Sequence, residues 1–460
     1  MSAVTEDVTS MDGKLVHELS CPSHKSELDL WAIPPTNVAI RRKYDVEYRP
    51  ISVISGDPSV IQFVIPGGVE NYIDLDETEL YVKLRISVKD GGTALKPTQW
   101  SPTTGPKVSV VNNLLHSLFQ KIELKTNNAA LTVPNNFYAY RAYLEKLLGE
   151  SPLSTETHLH TECFTKENYT VLAGTAGRTP ALNTDRVKQV REEGNDGIIE
   201  LMGRLHLDLS QQEKLIIGGL DLMFSLYPHK PTFYLHCAAD TYSINVSFEE
   251  VLLYVKHVNV YPPILAVHEK ALRSSPAKYP IARREIKTWC LAKGVQNAPL
   301  NNVFSGALPR RIFLCMTSNT AENGSYTTNP FFFDHFDLEY ARCSRGDEEF
   351  PAIAYRPDFD KKSWVREYRA LFRGINQLNC RPCCPITYDM YGNGYTILVF
   401  NLAPDYADGC SGHFSLVKNG SINIDLHFKK ALPTAVSVIL FAEYDNIIEI
   451  DHDRNIKTEF

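Results

Sequence analysis

The stretch "TELYVKLRISVK", residues 78–89, decides the fold class because apolar and polar side chains alternate along it. A period of two places the apolar side chains on one face of an extended strand and the polar ones on the other. The apolar set is Leu80, Val82, Leu84, Ile86 and Val88. The stretch therefore predicts a β-strand with one face on a core and one face in water.

The same alternation occurs in "GRLHLDLS" (203–210), "GLDLMFSLY" (219–227) and "SINIDLHFKK" (421–430). The side chains expected to face inward are Leu205, Leu207, Leu209, Leu220, Leu222, Phe224, Leu226, Ile422, Ile424, Leu426 and Phe428. His206 and His427 fall on the opposite, wet faces. Strands separated by turns rich in Gly, Pro and Asn are typical of a β-sandwich or a β-barrel.

Helical periodicity is confined to "FYAYRAYLEKLLGES" (137–151) and "KSWVREYRALFRGI" (362–375), and both stretches contain Tyr-Arg-Ala. Several other features recur in the same order in the two halves of the chain, which indicates an internal duplication. The matched pairs are 112–127 with 301–319, 203–210 with 397–404, 219–228 with 421–430, and 243–260 with 435–450.

These patterns predict an all-β chain of two tandem antiparallel β-sandwiches, with short helices in the connecting loops. The expected divisions are an N-terminal arm at 1–47, a first sandwich at 48–260, a connector at 261–282 and a second sandwich at 283–460. The connector is expected from its prolines and the arm from its polar composition.

Composition narrows the classes of function. The chain has 460 residues, 43% hydrophobic and 22% charged, which is typical of a globular protein, and its net charge of −7 argues against a protein that coats nucleic acid. The opening residues lack the pattern of a secretory signal, and no apolar run reaches the ~18 residues of a membrane span. We therefore expect the ten cysteines to be mostly free thiols in a reducing compartment.

The stretch "YGNGYTILVFNLAPD" (391–405) raises the question of a phosphate-binding loop. Such a loop needs backbone N–H groups at the start of a helix, whereas Gly394 is followed by a β-branched and aromatic run. Gly392-Asn393-Gly394 is therefore expected to be a turn that leads into a strand.

Two sets of residues have spacings that invite a metal site. Cys380 and Cys383 with Cys410 and His413 form a Cys-x-x-Cys and Cys-x-x-His pair, but a strand between them would separate the pairs by roughly 25 Å. His158 and His160 lack a suitably spaced third ligand, because Glu162 is too close. We expect no metal, no cofactor and, since no hydrolase or metalloprotease signature occurs, no enzymatic activity.

Longer motifs carry a family resemblance. They include "KSELDLWAIPPTNVAI" (25–40), "FVIPGGVENYIDLDETELYVKLRI" (63–86), "ENGSYTTNPFFFDHFDLEY" (322–340) and "FKKALPTAVSVILFAEYDNIIEIDHDRN" (428–455). Together they resemble the major capsid protein of Polinton/Maverick elements and adintoviruses, over about residues 25–455. The resemblance implies a double jelly roll whose homotrimers form pseudo-hexagonal capsomers of an icosahedral viral shell.

The resemblance also implies partners and a location. Neighbouring capsomers, a penton protein and packaged DNA would contact the subunit, which would reside in the virion capsid after synthesis in the host cytoplasm, with assembly in the nucleus as one route. Arg41, Arg42 and Lys43 of the arm are the candidates for facing DNA. The apolar stretch around Trp31 would dock the arm on assembly.

The aromatic run "NPFFFDHFDLEY" (329–340) leaves two alternatives open. Phe331, Phe332, Phe333 and Phe336 are expected to be core residues or subunit contacts, because consecutive large apolar side chains usually find a partner surface. The alternative is an aromatic platform of a tandem β-sandwich lectin. A lectin could be a monomer, whereas a capsid subunit should form oligomers.

Overall fold

The computed structural model describes residues 19, 26–28, 30–31, 33–54, 58–90, 92–100, 108–126, 129–132, 135–167, 169, 171–174, 177–180, 196–237, 242–378, 384–404 and 413–458. The strands of the first half are β1 (Ile40–Tyr48), β2 (Ile61–Ile65), β3 (Asn71–Asp90), β4 (Thr93–Leu95), β5 (Ser109–Val110), β6 (Phe119–Thr126), β7 (Ala129–Ala130), β8 (Val171–Gly174), β9 (Gly177–Pro180), β10 (Ile198–Arg204), β11 (Leu222–Pro228), β12 (Leu235–His236) and β13 (Ser243–Val260).

The strands of the second half are β14 (Ala277–Leu291), β15 (Asn297–Ala307), β16 (Arg311–Ser318), β17 (Leu338–Arg345), β18 (Glu348–Tyr355), β19 (Ile397–Asn401), β20 (Asn419–Phe428), β21 (Val436–Ile450) and β22 (Ile456–Thr458). The helices are α1 (Leu114–Ser117), α2 (Tyr138–Gly149), α3 (Pro231–Tyr234), α4 (Pro262–Leu272), α5 (Asn319–Asn323), α6 (Val365–Gly374) and α7 (Tyr388–Tyr391). Short 3-10 turns lie at Ser26–Leu28, Pro97–Gln99, Ser154–Glu156, His158–Glu162 and Leu209–Gln211.

Each half is a sandwich of two antiparallel sheets with the same strand order. In the first half the sheets are β1-β13-β3-β10, with β4 beside β3, and β2-β11-β6-β7. In the second half they are β14-β21-β16-β19, with β22 beside β21, and β15-β20-β17-β18. The first strand of each half pairs with its last long strand, as in a jelly roll. The predicted fold of two tandem jelly rolls is therefore confirmed.

Corresponding strands follow one another in the same order along both halves. The equivalent pairs are β1 with β14, β2 with β15, β3 with β16, β6 with β17, β7 with β18, β10 with β19, β11 with β20 and β13 with β21. The helices α2 and α6 also occupy equivalent connections, between β7 and β10 in the first half and between β18 and β19 in the second. The structure thus has the internal duplication that the sequence predicts.

One of the matched sequence pairs is wrong. Residues 112–127 contain β6, whereas residues 301–319 contain the end of β15 and all of β16, which is the equivalent of β3. The shared Asn pair, apolar stretch and basic residue led to this match. They belong to non-equivalent strands because short strands of similar composition recur within a jelly roll.

The alternating stretches form the expected cores. All five apolar side chains of 78–89 are at most 2% exposed, and the four of 421–430 are fully buried. The stretch 203–210 differs, because β10 ends at Arg204 and a turn follows. Ser210 forms this turn by donating its hydroxyl to the carbonyls of Leu205 and Leu207. The three leucines of the stretch are buried as predicted, but not on a strand.

Two domain boundaries lie earlier than the sequence indicated. Residues 40–48 form β1 and pair with β13, so the arm ends before residue 40. The charged residues that suggested an arm suit a strand at the edge of a sheet. The connector is also shorter than predicted, because β14 begins at Ala277. This strand tolerates Pro280 because it lies at the edge of its sheet. Among the described residues no helix is both long and apolar enough to cross a membrane.

Candidate functional site

The contact between the two jelly rolls, which we call the seam, is built around residues 329–335 of the second half and α2 of the first. Within this segment Phe331 and Phe333 are fully buried. The backbone of Phe333 is held by two hydrogen bonds, because its N–H donates to the Gly394 carbonyl at 2.9 Å and its carbonyl accepts from the Thr396 N–H at 3.0 Å. Residues 394–396, which precede β19, therefore hold the segment in place through an isolated parallel bridge.

The Phe331 ring inserts into an aromatic cluster of the first jelly roll. It stacks on Tyr143 with ring centroids 4.1 Å apart and planes at 12°. It also meets the edges of Tyr140 at 5.7 Å and Phe233 at 6.1 Å. Offset stacking and edge-to-face pairs are the favourable geometries of aromatic rings. Phe331 is thus a second-half residue whose neighbours belong to the first half.

Phe332 packs over the glycine turn at 392–394. Its ring meets Tyr169 edge-on at 5.2 Å, and Tyr169 in turn stacks on Tyr395. Gly394 has φ +95°, and a Cβ there would lie 2.5 Å from both Phe332 and Tyr169. Only glycine fits this conformation and this space. The turn leads into β19, as the sequence predicts.

A buried ion network crosses the seam beside the aromatic cluster. Arg284 of β14 lies 3.3 Å from a Glu145 oxygen of α2 and 3.1 Å from a Glu443 oxygen of β21. Arg141 contributes a further bond of 2.8 Å to Glu145, and Arg311 contacts Glu443. The Arg284 guanidinium therefore bridges carboxylates of both jelly rolls.

The two carboxylates of this network stay ionised. Burial alone raises the pKa of a carboxyl, but Arg141 and Arg284 outweigh it and hold the pKa of Glu145 far below its usual range. Arg311 and Arg284 do the same for Glu443. Removing one partner of such a buried pair leaves an uncompensated charge, which costs several kcal/mol, about 3 to 5.

Arg178, on β9 of the first half, closes the seam from the outside. Its guanidinium donates to Asp334 at 2.9 Å, to the Gly392 carbonyl at 3.0 Å and to Asn393 at 2.8 Å, and it contacts His335. Burial raises the pKa of Asp334 to about 6 and lowers that of His335 to about 3. One arginine therefore ties the glycine turn and the aromatic segment to the first jelly roll.

The seam also explains why one sheet of the second half is buried on both faces. Side chains of β16, β19 and β21 alternate between the interior of the second jelly roll and the cluster that contains the Phe331 site. The side chains that face the seam, in the same cluster as Phe331, are Phe313, Cys315, Ile397, Val399, Ile439 and Phe441. The core of the first jelly roll thus extends onto the outer face of this sheet, while the interior of the second jelly roll forms a separate cluster.

For three of the four aromatic residues, this geometry favours the core alternative over a contact between subunits. Phe331, Phe332 and Phe333 are 0%, 5% and 0% exposed, so they lack the surface that a contact with a second chain requires. The aromatic run did find a partner surface, but that surface belongs to the same chain. Phe336 is only partly buried, and its role as a contact stays a prediction.

The structure describes only one residue of the first metal candidate set, so that set is left untested. Cys380, Cys383 and Cys410 lie outside the described residues, while His413 is exposed. His158 and His160 are exposed on the 3-10 turn at His158–Glu162.

The basic residues at the arm's end lie on β1. Arg41 and Arg42 are exposed. Lys43 is engaged differently, because its ammonium forms ion pairs with Asp74 at 2.8 Å and Glu77 at 2.6 Å. The free positive charge of this region is therefore smaller than the sequence indicates.

Sequence reasoning missed a buried polar cluster in the first jelly roll. His116 and Lys146 both contact Glu162, and His206 lies beside them with its ring centroid 4.7 Å from that of His116. The expectation of an exposed His206 is wrong, since only 13% of its side chain is exposed. A histidine within the apolar stretch "NNLLHSLF" (112–119) was the one available signal.

No protein-family profile matches the chain. An uncharacterized protein of Caenorhabditis elegans is 24% identical over 405 residues, which cover 86% of this chain and 92% of that protein. Among solved structures, a chain of the Sputnik virophage has a TM-score of 0.60 at 11% identity and covers 98% of this chain and 95% of its own length.

Two viral capsid proteins are also similar, with somewhat lower TM-scores. The major capsid protein of Faustovirus has a TM-score of 0.58 at 10% identity, covering 94% of this chain and 92% of that one. The mavirus major capsid protein has a TM-score of 0.53 at 11% identity, covering 98% and 97%. These neighbours are double jelly-roll proteins, so the chain has the double jelly-roll fold along nearly its whole length.

Proposed function

We propose that this chain is a major capsid subunit that assembles as homotrimers into the pseudo-hexagonal capsomers of an icosahedral shell. The observation that carries the proposal is the pair of equivalent jelly rolls joined by a buried seam. The similar solved structures include two major capsid proteins, each matched over more than nine-tenths of its length. The role is structural and needs no catalysis.

The seam supports this role through geometry. Three two-lobed blocks around a three-fold axis present six similar lobes, which suits a position with six neighbours in a shell. Such a block must not bend between its lobes. The stacked Phe331 ring and the Arg284 bridge make the two lobes one packed unit.

The contact surface between subunits must lie outside the seam. A candidate is the segment 413–417, in which Phe414, Leu416 and Val417 are 40%, 90% and 66% exposed. Exposed apolar side chains gathered in one short segment mark an interaction surface. Obligate interfaces commonly bury more than about 2,000 Å², so this segment would form one part of the contact.

Light scattering after size exclusion, followed by electron microscopy, tests the proposal. The wild-type chain is expected to elute as a trimer and to form hexagonal particles. The double variant Leu416→Asp with Val417→Asp is expected to remain folded and become monomeric. The interior variant Phe332→Ser with Phe333→Ser is expected to lose folding and trimers together. A wild-type chain that stays a compact monomer at micromolar concentration would refute the capsid role.

The finer assignment to Polinton/Maverick elements or adintoviruses rests on the motifs at 25–40, 63–86, 322–340 and 428–455. On that basis we also propose a penton protein and neighbouring capsomers as partners and the virion capsid as the location. Synthesis in the host cytoplasm and assembly in the nucleus belong to the same proposal.

We propose that Arg41 and Arg42, the exposed arginines of β1, make the contact of this strand with packaged DNA. A contact of only two cations is weak and non-specific, and its affinity should fall with a shallow salt dependence. The lectin alternative finds no support among the similar solved structures. The aromatic run that suggested a sugar platform is largely buried.

A further inference from the structure

We propose that His116, Glu162 and His206 bind one divalent transition-metal cation of the Zn²⁺ class. The three side chains come from distant parts of the first jelly roll, namely α1, the 3-10 turn at 158–162 and the segment after β10. One ligand atom of each lies within 4.8 Å of the others. Two histidines and a glutamate are a known zinc-binding set, with bonds of about 2.0 to 2.2 Å.

The second nitrogen of each imidazole is already anchored. His116 Nδ1 lies 2.9 Å from the Tyr138 hydroxyl, and His206 Nδ1 lies 2.6 Å from a Glu145 oxygen. A cation would take Nε2 of both rings, and His116 Nε2, which lies 2.6 Å from a Glu162 oxygen, would exchange that hydrogen bond for a metal shared with Glu162. A histidine that donates its other N–H to a carboxylate or hydroxyl is the usual outer support of a metal ligand, because it sets both tautomer and ring orientation.

Access comes from a cleft of about 420 Å³ whose lining includes Glu162 and His206. The backbone of Gly203 approaches Glu162 so closely that a Cβ at this position would lie 2.2 Å from the carboxyl carbon. The cleft gives a cation an entry path and room for a water molecule as the fourth ligand. A tetrahedral site with three protein ligands and one open position fits this arrangement.

The Lys146 ammonium competes with a metal cation for the Glu162 carboxylate. Its ammonium contacts the same Glu162 oxygen that His116 approaches at 2.6 Å, and it lies 3.3 Å from the Asn113 side-chain oxygen. Lys146 lines the cleft together with Glu79 and Glu150, so carboxylates are near when a metal displaces it. The metal and the ammonium are therefore alternative counter-ions of Glu162.

Metal binding to the full chain tests the site directly. The purified protein, stripped with a chelator, is titrated with Zn²⁺ and with Co²⁺ and analysed for bound metal. We expect about one equivalent per chain, and a Co²⁺ spectrum with visible bands of nitrogen and oxygen ligands. A thiolate charge-transfer band would instead assign the metal to cysteines and overturn the proposal, as would no binding at micromolar Zn²⁺.

Variants separate the site from its surroundings. Glu162→Gln and His206→Gln are expected to abolish binding, whereas His158→Gln, an exposed histidine of the same cleft, is the matched control and should bind normally. Tyr138→Phe removes the support of His116 and should weaken binding about tenfold.

A gain-of-binding variant keeps the test decisive if the ligand variants fail to fold. Lys146→Met removes the competing cation with little change in volume, so Zn²⁺ should bind more tightly than to the wild-type chain. Its melting temperature should be lower without metal and should rise with the logarithm of the Zn²⁺ concentration. A Lys146→Met chain with unchanged or weaker Zn²⁺ binding would refute the proposal.

Discussion

Replacing Phe331 by alanine should weaken the seam more than any other single truncation of comparable size. A phenyl side chain buries about 150 to 250 Å², which at about 25 cal/mol per Å² corresponds to about 4 to 6 kcal/mol. An alanine side chain retains part of this burial free energy, and a cavity remains between Tyr143 and Phe233. We therefore expect the free energy of unfolding to fall by about 3 to 5 kcal/mol.

The matched control is Phe428→Ala, which removes an equally buried ring from the second jelly roll's own core. Both variants should lose similar stability in urea at equal protein concentration. Only Phe331→Ala should increase hydrogen exchange in α2 and in the turn at 392–394, because of these two rings only that of Phe331 packs between the two halves. A loss below about 1 kcal/mol, or identical exchange in both variants, would refute the account of the seam.

Three further outcomes are expected. Arg284→Met should lower the free energy of unfolding by about 3 kcal/mol, because Glu145 and Glu443 lose their shared partner. A loss of less than about 0.5 kcal/mol in denaturant unfolding would contradict this. Burial lowers the pKa of His229 to about 4, so stability should fall as pH drops from about 6.5 toward 4, and His229→Gln should reduce that slope in thermal melts at stepped pH. Residues 33–38 should exchange hydrogen rapidly in the isolated subunit and slowly in the assembled shell, and equal protection in both states would argue against a docking arm.

The strands with one solvent-facing side were predictable because apolar and polar side chains alternate along them with a period of two residues. The stretch 421–430 alternates in sequence and in exposure, and so does 78–89. The helices α2 and α6 were predictable for a similar reason, whereas α4, at Pro262–Leu272, falls in the segment expected to be a connector. The boundaries of the two jelly rolls were less predictable from the sequence. They fall in β1 and at the start of β14, which are edge strands, where charged residues and proline are tolerated and the alternation is weak.

The candidate site was predictable only in part. The aromatic run at 329–336 drew attention by composition, but no pattern in it indicates whether its partner surface belongs to the same chain or to another. The cluster of His116, Glu162 and His206 was hidden because its members are far apart in sequence. Their proximity depends on how α1 and the segment after β10 pack around α2.

The amino-acid sequence by itself determined the fold class, the duplication and the identity of most core residues, because local alternation decides which face of a strand avoids water. Only the tertiary structure decided how the two jelly rolls meet. The runs around β16, β19 and β21 are apolar on both faces, which indicates burial but not the partner of each face. That partner depends on Phe331 stacking on Tyr143 and on Arg284 bridging two carboxylates, and these contacts join residues more than a hundred positions apart.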